Sequence, residues 1–295
     1  MRLRSWKLLL PVLLLLLSAG LWLICSERDA RDGFVREGIA IRVNQAADEL
    51  REKYPKQLEV AKHPAGLNFY SMDWPRDALA SIVIGQPDHA VTIPYVLGIS
   101  GTDDTGYPEE NISEWHIYAG LTAPELMGHD EARQAFFRLI QSIRDAGWRN
   151  AISRGAPRLK GKDSLRYVQA ALVGCLDPDY VPDLEEWMKL GAGSSWCFYA
   201  DHAYFRINLT RDQNRTDIHQ PGAYFLTYDL VAENEEMRAY VGPQNRREWK
   251  TLSARLPEAL ALEQADRQQK EAEWQRKGAR IDRAYQDPPV PAIAP

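Results

Sequence analysis

The sequence predicts an α+β fold, an antiparallel sheet with packed helices, set behind an N-terminal transmembrane helix. Three observations predict it. Strand-type alternation and β-branched or aromatic content recur over residues 67–74, 80–85, 89–100, 113–121, 196–209 and 223–231. Apolar residues at steps of three and four mark helices between and after these runs. A charge-free stretch of 18 residues, Leu8 to Cys25, follows Arg2, Arg4 and Lys7.

About 20 apolar residues cross a hydrocarbon core, so residues 1–25 read as a signal anchor. Ser18-Ala19-Gly20 offers a cleavage-like site, but Leu21-Trp22-Leu23-Ile24 continues the apolar run past it. Bulky Ile24 also makes Cys25 a thiol at the membrane edge in preference to a lipid acceptor. The three leading cations keep the N-terminus cytoplasmic and export the rest, giving a single-pass topology. Of 36 basic residues, three precede the span, leaving 33 against 41 acids and a charge of −8 on the exported body. That balance is soluble and excludes a general nucleic-acid footprint.

Residues 26–64 form a linker and an amphipathic helix, whose stripe is Ile39, Val43, Ala47, Leu50, Tyr54 and Leu58. His63-Pro64-Ala65-Gly66 breaks it and opens a globular core over 65–232, with 65–150 and 151–232 as candidate subdomains. Within the core, 101–111 reads as a turn-rich loop. Residues 129–147 read as a helix with Ala132, Phe136, Leu139, Ile140 and Ile143 on one face and Gly147 as its C-terminal stop. Shorter helices are expected at 163–176, capped by Asp163, and at 183–190, capped by Asp183. Residues 233–295 are a charged helical segment, broken at Gly242-Pro243, restarted at Pro257 and fading into water or a partner before a Pro-rich tail.

The stretch Trp196–Leu209 (WCFYADHAYFRINL) pairs with itself about Asp201-His202. Ala200 then faces Ala203, Tyr199 faces Tyr204, Phe198 faces Phe205 and Trp196 faces Ile207. This register places Trp196, Phe198, Phe205, Ile207 and Leu209 on one surface, and Tyr199, Tyr204, Arg206 and Asn208 on the other. A bend accounts for Asp201-His202 without chemistry, although the pair is not a favoured turn dipeptide.

Motifs for catalysis fail one by one. There is no His-Glu-x-x-His helix, Gly-x-Ser-x-Gly elbow or Cys-x-x-Cys pair. The Gly155–Lys162 segment has five residues between its glycines, and Asp163 stands where a phosphate loop needs a hydroxyl. The histidines at 63, 89, 116, 129, 202 and 219 are dispersed, and His116 with Glu114 is the one acid–His pair two apart on a strand. Asp103-Asp104 with Glu109-Glu110 could supply a carboxylate pair for glycoside chemistry, but their loop context favours solvation. No catalytic residue, metal or cofactor is therefore expected. Cys175 and Cys197 are the only thiols beyond the membrane edge; an oxidising compartment favours pairing them, and two buried free thiols are the alternative.

The runs RDAGWRNAISRGAPRLKG, DPDYVPDLEEWMKLGAGSSWCFYADHAYFRINL, QPGAYFLTYDL and YVGPQNRREW, within about residues 130–250, resemble a family of membrane-anchored proteins. Members are encoded beside type VI secretion effectors in Gram-negative bacteria and are generally taken to be immunity proteins. The resemblance carries no catalytic signature and assigns no residues. It implies an inner-membrane protein with a periplasmic, non-enzymatic body that binds a secreted effector. An envelope enzyme acting on cell-wall or lipid substrates through carboxylates, and an accessory component of a secretion system, are the alternatives. For a binder, Tyr, Trp and Arg anchors matter most. The expected partner contacts are Tyr199, Tyr204 and Arg206 on the polar hairpin face, with Arg211, Asp212, Arg215 and Asp217 on the following loop.

Overall fold

The computed structural model describes residues 38–191, 194–242 and 253–291. The leader from Leu8 to Cys25 lies outside the described residues, as does the segment 243–252. Among the described residues no helix is long and apolar enough to cross a membrane.

The fold is α+β. The described residues form eleven strands, β1 (Ile39–Ile41), β2 (Glu59–His63), β3 (Leu67–Asp73), β4 (Ala80–Ile84), β5 (Val91–Asp104), β6 (Ile112–Gly120), β7 (Leu126–Met127), β8 (Arg149–Asn150), β9 (Ser194–Ala200), β10 (Ala203–Arg211) and β11 (Gly222–Ala232). The helices are α1 (Ala47–Lys53), α2 (His129–Asp145), α3 (Gly161–Ala171), α4 (Leu184–Met188), α5 (Glu233–Val241) and α6 (Leu256–Arg276). The sheet runs β1-β4-β5-β6-β11-β10-β9-β8, and β1 pairs in parallel with β4. Long β5 serves β4 with its first half and β3 with its second along one edge, and β6 along the other. One sheet thus joins residues 112–120 to 222–232.

Alternation sorts the sheet into two faces. On the inner face Ile99, Trp115, Ile117, Trp196, Phe198, Phe205, Ile207, Leu226 and Leu230 are at most 1 % exposed. Helix α2 lies against them: Phe136 sits 4.5 Å from Trp196 and 5.7 Å from Trp187, ring centroid to centroid. Gly101 is required there, because a Cβ at this position would approach the Trp115 ring to 2.8 Å and Ile112 to 2.9 Å. The outer face is covered at its β9–β10 end, where Met237 of α5 and Leu256 of α6 bury against Tyr107, with Tyr204 packed on them.

The hairpin register predicted from sequence is the observed one, Tyr199 opposite Tyr204 and Trp196 opposite Ile207. Asp201 and His202 both take positive φ, 43° and 61°, the backbone of a two-residue turn that follows the strand twist.

Four expectations are corrected. Residues 39–58 are not one helix: Asn44, at φ 59°, separates β1 from the short α1. Ile39, Ile41 and Val43 also satisfy a period of two, and Ile39 and Ile41 use it to pair beside Ile82 and Ile84. The loop at 101–111 begins later, because Gly101–Asp104 complete β5 against β3. Helix α3 starts at Gly161 and ends with Leu172 in a left-handed conformation; Asp163 lies inside it, bonded to Arg166 at 3.1 Å. Finally, α6 does not fade into water. Glu271 receives two bonds from the Arg158 guanidinium, at 2.7 and 2.8 Å, and Trp274 packs edge-on against Tyr167. The tail is bound as well, since Arg267 holds the Asp287 carboxylate with two bonds and Arg154 donates to the Pro288 carbonyl.

Candidate partner-binding face

The part of the outer face that α5 and α6 leave open carries a connected polar row. Neighbouring strands contribute it because residues of equal parity in register point the same way. His116 on β6 is opposite Asp229 on β11, and Asp229 is opposite Arg206 on β10. His116 Nδ1 lies 2.8 Å from Asp229 Oδ1, and its Nε2 lies 3.4 Å from Glu114 Oε1. Asn208 donates to Asp229 at 3.2 Å and to Thr227 at 3.3 Å, while its own carbonyl oxygen accepts from Ser195 at 2.6 Å. On the other side of His116, β5 places Ser100 opposite it, and Ser71 of β3 donates to Ser100 at 3.4 Å. Beside this row the rings of Tyr118 and Phe225 stack at 6.4 Å while remaining 41 % and 37 % exposed.

The charges on this face are interdependent. The hydrogen bond to Asp229 holds the His116 pKa above its usual 6.5, against the opposing effect of burial. Burial pushes the Asp229 carboxyl up, but His116, Arg206 and Asn208 outweigh it and leave the group below its ordinary range. Glu236 on α5 moves the other way. Its burial dominates, Glu114 and Glu235 add repulsion, and Arg206 and Arg154 offset only part of this.

The seven residues expected to meet a partner do not converge. Tyr199 is buried at 5 %; its hydroxyl donates to Glu233, its ring meets Tyr204 edge-on at 5.1 Å, and burial pushes its pKa up to about 12. Tyr204 is half-buried beside Arg154, Glu236 and Tyr240. Arg206 is exposed on the open face. Five residues further along β10, roughly 17 Å at strand rise, Arg211 donates to the Met188 carbonyl at 2.7 Å and fixes the end of α4. Asp212 and Arg215 pair with each other at 3.6 Å, and Asp217 caps the His219 N–H. The prediction thus brackets the polar row, and only Arg206 lies in it. Asp229 and Thr227 also belong to the row, as alternation along 223–231 puts both on the outer face. The Glu114-x-His116 spacing was the legible signal for the rest.

No protein-family model, curated protein or solved structure matches the chain. The face must therefore be read from its own chemistry. The remaining titratable candidates are held in local contacts: His89 with Asp201 at 2.7 Å, His202 with Glu233 at 2.7 Å, and Asp103 with Tyr70 and Asn68 at 2.6 and 2.7 Å. Glu110 is clamped by Arg238, which also binds Glu235 at 2.7 Å. Among the described residues no group of three or more His, Cys, Asp or Glu side chains is placed to hold a metal ion. Cys175 and Cys197 are joined as a disulfide with Cα atoms 5.6 Å apart, which ties the segment after α3 to β9.

Proposed function

We propose that this chain is an inner-membrane-anchored protein whose periplasmic body binds and neutralises a secreted antibacterial effector. The observation that carries the reading is the open outer face. Its polar side chains are already fixed by one another, and the stacked Tyr118–Phe225 pair stands exposed beside them. A surface ordered before contact loses little side-chain entropy on binding, and aromatic residues are the usual energetic anchors. The apolar leader and the disulfide support placement on the oxidising side of the membrane.

The test is co-expression with the neighbouring effector directed to the periplasm. Wild-type chain should protect the cells, and the Tyr118→Ala/Phe225→Ala double variant should lose protection and bind the effector at least ~10-fold more weakly at an unchanged melting temperature. Healthy cells after deletion of this gene, with the effector present, would sink the reading. So would an active cytosol-only reporter fused at the C-terminus.

A second reading, an envelope enzyme acting through carboxylates, is favoured by one observation. Asp229 stands opposite Arg206 in the sheet and Glu236 lines the same pocket as Arg206, so two carboxylates flank one guanidinium; burial pushes Glu236 up while His116 outweighs it at Asp229, the separation a base and an acid need. Asp229→Asn and Glu236→Gln should each abolish hydrolysis of purified peptidoglycan or phospholipid under this reading, and no hydrolysis by wild type eliminates it.

A further inference from the structure

A cavity of about 330 Å³ opens between α2 and the sheet, on the side opposite the polar row. That volume is within the range of small-ligand sites. Helix α2 contributes Ala135, Arg138, Leu139 and Ser142, spaced by three, four and seven residues and so on one side of the helix. Leu226 and Tyr228 of β11 form the floor, and Pro94 and Tyr95 of β5 a side wall.

Three features distinguish it from a packing gap. Tyr228 is 1 % exposed, and burial is the single cause of its raised pKa; its hydroxyl has no hydrogen-bond partner among the described residues. Tyr95 holds φ at 60°, a costly conformation for a bulky residue, where the β5–β6 register shifts between Val96 and Gly98. Strain and bulges of this kind gather at ligand sites. The charge is one-sided: among the described residues Arg138, exposed, is the only charged residue in the lining, and none of them brings a carboxylate to the cavity. A second guanidinium, Arg76, reaches within 3.2 Å of where a Cβ on the lining residue Gly120 would stand. Neither arginine is ion-paired among the described residues.

We propose that this cavity binds a small monocarboxylate carried on a compact apolar or aromatic body. Arg138 at the mouth takes the carboxylate, the body lies against Leu139, Leu226 and the Tyr228 ring, and the Tyr228 hydroxyl gains a partner. A cation would meet only positive charge here, and a bare inorganic anion would leave the apolar wall uncovered. The site is separate from the effector-binding face, so the two can fail independently.

The experiment is calorimetric titration of the full-length chain in lipid nanodiscs with 4-phenylbutyrate, with empty nanodiscs as the blank. One ligand should bind per chain. Replacing the carboxylate with an alcohol, in 4-phenylbutan-1-ol, and replacing the cation, in Arg138→Ala, should each weaken binding about 10-fold, the effect of a charge-assisted hydrogen bond. Leu139→Trp should fill the cavity and abolish binding. Arg138→Ala is an exposed change and Tyr228→Phe deletes an unpartnered hydroxyl, so neither should lower the melting temperature, while Tyr228→Phe should weaken binding several-fold. If Leu139→Trp does not fold, Arg138→Ala and the alcohol decide. No binding beyond the blank, equal binding of the alcohol, or full competition by inorganic phosphate overturns the proposal.

Discussion

His116 Nδ1 lies 2.8 Å from Asp229 Oδ1, joining residues 113 apart in sequence across the middle of the sheet. The raised His116 pKa means that the folded state binds this proton more tightly than the unfolded chain. Its stabilisation is complete below about 6.5 and is lost as pH rises through the folded-state value. Asp229 is displaced downwards, so its share is present above about 3.9 and is lost on acidification. The pair should therefore help most between about pH 4 and 6.5. With His116 38 % exposed, about 1 kcal/mol or less is expected. In melting curves, His116→Gln should trail wild type at pH 5.5 and converge with it by pH 8.5; a gap that widens with pH contradicts the assignment.

His129 should behave with the opposite sign. It is 2 % exposed, with Nδ1 2.6 Å from the Tyr224 hydroxyl and Nε2 3.1 Å from the Asp217 carbonyl, and burial lowers its pKa. The unfolded chain takes up this proton first, so its contribution is present above about 6.5 and is lost as pH falls through the depressed value. His129→Gln should cost about 1–3 kcal/mol at pH 7.5 through the broken buried hydrogen bonds. The deficit should shrink at pH 5, and denaturant titrations at the two pH values measure it.

The β9–β10 hairpin was legible in the sequence because its partners are local and both arms alternate in step. The polar row was legible only in fragments, since the β6–β11 pairing that unites His116 with Asp229 is set by the whole sheet. Even the hairpin retains a local conflict. His202 is held at φ 61° with only an exposed contact to Glu233 in return, its side chain being 76 % exposed. Glycine adopts this backbone without a Cβ penalty. His202→Gly should raise stability by up to about 1 kcal/mol, read from chemical denaturation, and a loss above that size would show that the Glu233 contact dominates.

In the sequence alone the C-terminal segment reads as solvated, because its polar residues find their partners more than a hundred positions away. Arg267 is 6 % exposed and donates to the Ser153 and Ala156 carbonyls as well as to Asp287, so a charge-rich helix is buried by satisfaction of its donors. No periodicity in 256–276 announces this. Arg267→Met removes the charge but leaves the Asp287 carboxylate and two carbonyls without it. A loss of about 3–5 kcal/mol is expected, with early proteolysis within 277–291. An unchanged melting temperature would mean that the segment contributes nothing to the fold.

The disulfide closes a loop over a sequence separation of 22, between the segment after α3 and the buried strand β9. Cross-linking restricts the unfolded chain, and for a loop of this length the effect is about 3 kcal/mol. Cys197 is 7 % exposed and packs with Ala151 and Tyr199, so Cys175→Ala/Cys197→Ala also leaves a small packing defect next to the hairpin. The double variant should melt lower than wild type under oxidising conditions and show no response to reductant. Wild type in reductant should approach the variant. If reductant leaves wild-type melting unchanged while mass spectrometry shows Cys175 and Cys197 as free thiols, the bond is not a support of the fold, and the segment linking α3 to α4 is held by hydrogen bonds such as Leu176 N–H to the Ser195 carbonyl and Gly161 N–H to Asp177, both at 2.7 Å.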